Sequence, residues 1–120
     1  MTKNEKDLLL QDICSRLPYG VKVQLTHNVP LKLLSIQVNG TAVVTGDKGY
    51  PFEIQWGSCK PYLFPLSSMT AEQKTSHNFL KYSAYANPVK LIDWYIKNHF
   101  DYRGLIPMGL AIDATGLNIY

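Results

Sequence analysis

The densest set of reactive side chains in this 120-residue sequence is His99-Phe100-Asp101-Tyr102-Arg103. An imidazole, a carboxylate, a phenol and a guanidinium in one short run can exchange a proton or bind an anion. If His99, Asp101 and Arg103 converge in a pocket near Tyr62 or Cys59, the chain is a small enzyme with a perturbed histidine or aspartate. The simpler account is structural: His99 meets the end of a helix, Asp101 pairs with Arg103 or caps a turn, and the aromatic rings pack. Nothing in the spacing fixes a reaction, so no catalytic residue is assigned.

Other chemistries are weaker. His99 and Asp101 joined by Asp93, His77 or His27 would suit zinc or iron, but the spacing matches no ligand motif, and no metal or cofactor is expected. Cys59 beside a histidine could act as a nucleophile. Gly57-Ser58-Cys59 more simply shapes the exit from a strand, and Cys14 and Cys59 are expected as two buried thiols. The glycines form neither a P-loop nor a GxGxxG crossing, which argues against nucleotide hydrolysis.

The aromatic residues carry a different message. Tyr19, Tyr50, Trp56, Tyr62, Trp94 and Tyr102 include several at turns or strand ends, where burial is not assured. Tyr and Trp offer large contact area with a polar handle, so those left exposed would mark an interface or a ligand groove. The expected binding surface comprises Trp56, Lys60, Tyr62, His99, Asp101, Tyr102 and Arg103. A protein is the first partner expected of it, and stacking of nucleobases on aromatics beside Lys60 or Arg103 is the alternative.

Composition limits these choices. The chain is 46% hydrophobic and 18% charged with a net charge of +3, an ordinary balance for one folded domain over residues 1–120. Acidic residues are interleaved with the lysines, and Arg16 and Arg103 are the only arginines. A nucleic-acid role is therefore open but unsupported. No run is long and apolar enough to span a bilayer, the opening residues are polar, and a cytoplasmic location is expected.

The elements that must position these groups read as α+β. Thr2 and Glu5 have capping-box spacing before a helix over residues 3–16, with Leu9, Leu10, Ile13, Cys14 and Leu17 on one face. Pro18-Tyr19-Gly20 ends it. Val21 to Leu25 alternates as a strand, and Leu34, Ile36 and Val38 alternate up to Asn39-Gly40, which suggests a tight type I′ hairpin into residues 41–45. Gly46 to Gly49 reverses the chain again, and Phe52, Ile54 and Trp56 share a face of the next strand. Pro61 and Pro65 allow only an edge strand or loop around Tyr62, so the sheet is expected to end there as a three- or four-stranded antiparallel meander. Thr70 with Gln73 and Asn87-Pro88 start two further helices, expected to pack on the sheet, and a last short strand is expected near residues 110–112. An exposed strand edge could pair two copies into a homodimer.

Three stretches together resemble a known family: Arg16-Leu17-Pro18-Tyr19-Gly20-Val21; Asp47-Lys48-Gly49-Tyr50-Pro51-Phe52 running on through Lys60-Pro61-Tyr62 to Pro65-Leu66-Ser67-Ser68-Met69; and His99-Phe100-Asp101-Tyr102-Arg103-Gly104-Leu105-Ile106. It is a family of hypothetical proteins typical of gut Bacteroidales genomes and their phages or other mobile elements. The resemblance implies a setting, and with it a small accessory or binding protein, but no activity, ligand or site residue.

Overall fold

The computed structural model describes residues 1–25, 29–37, 39–46 and 49–120. The break expected at His27-Asn28, the turn at Asp47-Lys48 and the side chain of Val38 lie outside them.

Helix α1 spans Lys3–Arg16, as the capping spacing indicates. Thr2 accepts from the Glu5 amide and Glu5 accepts from the Thr2 amide, both at 3.1 Å. A 3-10 turn over Leu17–Tyr19 follows, and Gly20 reverses the chain at φ 71°, a conformation that costs glycine little. Leu9 and Ile13 are buried, but their neighbours on the inward face are Asp12 and Arg16, not Leu10 and Cys14. Cys14 is exposed, so only Cys59 is a buried thiol.

Among the described residues six strands make one sheet in the order β4-β3-β2-β1-β5-β6. They are β1 (Lys22–Gln24), β2 (Leu31–Ile36), β3 (Thr41–Thr45), β4 (Phe52–Gln55), β5 (Lys60–Leu63) and β6 (Ile112–Asp113). All neighbours are antiparallel except β5 and β6, which run parallel. The sheet is therefore larger than a three- or four-stranded meander and mixed. Val21, Val23, Leu33, Ala42, Val44, Ile54 and Leu63 build the core beneath Leu9 and Ile13 of α1. Burying each of the Val, Leu and Ile side chains is worth roughly 1.5–3 kcal/mol, so this shared face holds α1 in place.

Two details depart from the alternation in the sequence. In β2 the register shifts between Leu33 and Ser35, and this bulge buries Leu33 while leaving Leu34 exposed. The β2–β3 loop is closed by Gln37 donating to the Thr41 carbonyl at 2.8 Å and Gly40 donating to the Gln37 carbonyl at 3.2 Å. That is a three-residue loop with Gly40 at φ 93°, not the two-residue type I′ turn.

Strand β5 lies inside the sheet despite Pro61, contrary to the expected edge. Leu63 offers its carbonyl to Ala114 at 2.8 Å, on the β6 side. Pro61, two residues back, turns its nitrogen to that same side, and β6 pairing begins only at Tyr62 opposite Ile112. The proline thus withholds a donor where no strand asks for one.

Helices α2 (Ala71–Tyr82) and α3 (Pro88–Lys97) begin as expected, with a Thr70–Gln73 capping box and an Asn87 cap before Pro88. They do not both cover the sheet. Helix α3 buries only Tyr95 and Ile96 near its end, and α2 buries no residue. No helix among the described residues is long and apolar enough to cross a membrane.

Candidate functional site

The run from His99 to Arg103 is drawn into a buried knot between α1 and α3. Arg16, fully buried, pairs with the fully buried Asp12 through Nε at 2.9 Å and Nη2 at 3.1 Å. Its Nη1 reaches the Tyr95 and Ile96 carbonyls at 3.4 Å, and Nη2 donates to the Phe100 carbonyl. A guanidinium thus caps the carbonyl end of α3, where the helix dipole favours a cation. Arg103 adds a third bond to Asp12 at 3.2 Å. Tyr102 lies stacked on Tyr95, with the Arg103 guanidinium 4.8 Å from its ring centre.

His99 occupies the place after α3 that glycine usually fills, at φ 59°. Its amide bonds the Ile96 carbonyl at 3.1 Å and the Phe100 amide bonds the Tyr95 carbonyl at 2.9 Å, the paired bonds of a Schellman motif. The ring is 6% exposed, stacks on Tyr120 at 4.0 Å, and has no partner for Nδ1. Burial, reinforced by the nearby Arg16 charge and only partly opposed by a backbone hydrogen bond at Tyr19, lowers its pKa to about 4. Asp101 accepts from the Leu105 and Ile106 amides at 2.8 and 2.9 Å. These side chains therefore hold backbone and one another. His99, Asp101 and Arg103 do not converge on an open pocket near Cys59 or Tyr62.

The remaining expected residues lie elsewhere. Tyr62 is buried on the outer face of the sheet with Ala114 and Ile119, and Lys60 is exposed beside it. Trp56 is half-buried and forms a ridge between two grooves. One, of about 640 Å³, runs past Leu10 and Cys14 of α1 and Leu17 just after it to the β2–β3 loop; the other, of about 430 Å³, is lined by Lys6, Gly40 and Gln55 to Ser58. Leu10, Cys14 and Leu17 lie roughly 150° around α1 from Asp12 and Arg16, so Trp56 and the knot face different sides of the helix.

The Cys59 thiol donates to the Trp56 carbonyl at 3.0 Å, and burial pushes its pKa up to about 11. Among the described residues no three His, Cys, Asp or Glu side chains gather closely enough to hold a metal ion. His77 bonds the Tyr95 hydroxyl at 2.7 Å.

The surface that sequence reasoning missed is the outer side of α2 and α3. Phe79 is 55% exposed, Tyr82 71% and Tyr85 78%, and Val89 and Ile92 of α3 are exposed as well. Phe79 and Tyr85 stack at 6.3 Å, and the Lys81 ammonium sits 5.3 Å from the Tyr82 ring. A groove of about 470 Å³ runs along this hairpin between Thr75, Phe79, Leu80 and Trp94. The signal was present as Phe79 and Tyr82 on an amphipathic helix, but that pattern also describes a helix packed on a sheet. Comparison with family models, curated proteins and solved structures found no match to this chain.

Proposed function

We propose that the protein is a small non-enzymatic binding protein that takes a partner protein on the outer face of α2 and α3. One observation carries this reading: α2 buries none of its own residues, yet it exposes Phe79 and Tyr82, and Tyr85, itself exposed, stacks on Phe79. Large aromatic side chains left in water are costly to the free chain and favourable once covered, which is the usual economy of an interface centre. Lys74, Lys81, Lys90 and Lys97 outnumber Glu72 and Asp93 along the two helices, so the matching partner has an apolar centre and an acidic rim. The proposed setting is the cytoplasm of a bacterium or one carrying its mobile elements, in line with the resemblance over residues 16–21, 47–69 and 99–106.

The test is affinity capture of the tagged full chain from its host beside the triple variant Phe79→Ser, Tyr82→Ser, Tyr85→Ser, with thermal unfolding to show that both are folded. A protein retained by the native chain and lost by the variant supports the proposal. Identical captured sets, or a nucleic acid as the only captured species, overturn it.

A further inference from the structure

Strand β4 ends the sheet, and one side of its backbone faces no strand among the described residues. Trp56 donates to the Gly40 carbonyl at 3.2 Å, while Ile54 sits opposite Ala42 and Phe52 opposite Val44. Backbone groups point to alternate sides along a strand, so Phe52, Ile54 and Trp56 direct theirs to β3. Glu53 and Gln55 therefore direct their N–H and carbonyl groups to the open side. Pro51 shares that direction and has no N–H, which closes the slot at one end. The 3-10 turn Trp56–Ser58 closes it at the other.

The side chains of this edge also sort by face. Phe52, Ile54 and Trp56 lie on the face of Ala42 and Val44, the core side, and Glu53 and Gln55 lie on the opposite face. Phe52 is half exposed because no strand lies beyond it.

We propose that two copies of this chain pair antiparallel through β4, about a two-fold axis at Ile54, so that their two sheets become continuous. In that register Glu53 of each copy faces Gln55 of the other, and each such pair exchanges two backbone hydrogen bonds. Ile54 faces its own equivalent, and Phe52 faces Trp56 across the join. Every apolar side chain of the edge thereby meets an apolar one, and no charge meets its like. An axis at Glu53 would set two carboxylates opposite each other. A longer foreign strand would meet Pro51, where the edge supplies no donor. The short slot and its self-matching pattern therefore favour a second copy.

Sedimentation velocity of the purified full chain from about 10 µM to about 1 mM is expected to show a reversible shift from 13.6 kDa to twice that mass. Glu53→Pro removes an outward donor and no bond to β3, and is expected to weaken the dimer about tenfold or more. Gln55→Glu sets carboxylates opposite each other in both pairs and is expected to weaken it to a similar degree. Adding Glu53→Lys to Gln55→Glu places opposite charges in register and restores association, a rescue that a misfolded edge would not give. A chain that stays monomeric throughout, a dimer indifferent to Gln55→Glu, or one dissolved by Phe79→Ser overturns the proposal.

Discussion

The knot around Arg16 and the outer face of α2 and α3 differ in both chemistry and access. The knot gathers two guanidiniums, two carboxylates, an imidazole and a phenol, and nearly all of them are committed to backbone or to one another. The helical face has little reactive chemistry, and it is open. Reactive residue types that occur close together in sequence are here a device for closing a helix end. The side chains free to meet another molecule are rings on a helix that the core does not need.

This contrast is sharpest in stability. Arg16→Met leaves the buried Asp12 carboxylate with Arg103 alone and takes the guanidinium from the carbonyl end of α3, and is expected to cost about 3–5 kcal/mol by urea unfolding. Replacing Asp12 as well, by Asp12→Leu, is expected to recover part of that loss, because no acid then lacks its first partner.

The next effect is a pH dependence. His99 holds its pKa near 4 in the folded chain against about 6.5 when unfolded, so the unfolded state takes the proton more readily. Its contribution is complete above about pH 6.5 and declines as pH falls toward 4, by about 3 kcal/mol in all. Unfolding midpoints followed between those limits should flatten in His99→Asn, since asparagine tolerates the left-handed backbone and does not titrate. The smallest expected effect is on the helical face: Phe79→Ser, Tyr82→Ser and Tyr85→Ser should each change stability by about 0.5 kcal/mol or less. A cost comparable to that of Arg16→Met would erase the distinction between the two regions.

Local chemistry was legible in the sequence. The boxes at Thr2–Glu5 and Thr70–Gln73, the Asn87–Pro88 start and the Gly20 reversal all depend on residues within a few positions of each other. What was not legible depends on distant partners. A bulge that swaps Leu34 for Leu33 takes its sense from β3, and Pro61 is tolerated inside the sheet because β6 starts one residue late. Arg16 stands in the sequence only as the last residue of a helix, and its role depends on the carbonyls of Tyr95, Ile96 and Phe100, some eighty positions away. Of the expected binding residues, those in the run 99–103 were conspicuous through their chemical types, and burial in the knot engages the same groups.

The Arg16 cap also has a kinetic side. Its bond to Phe100 spans 84 positions of sequence, whereas the β2–β3 hairpin closes across a three-residue loop. Long closures are slow to form, so the hairpin is available early and the cap late. On a ribosome adding roughly 5–20 residues per second, some 4–17 seconds separate the synthesis of Arg16 from that of Phe100. For that interval the charged face of α1 has no carbonyls to hold, and the nascent helix must remain undocked at its C-terminal end.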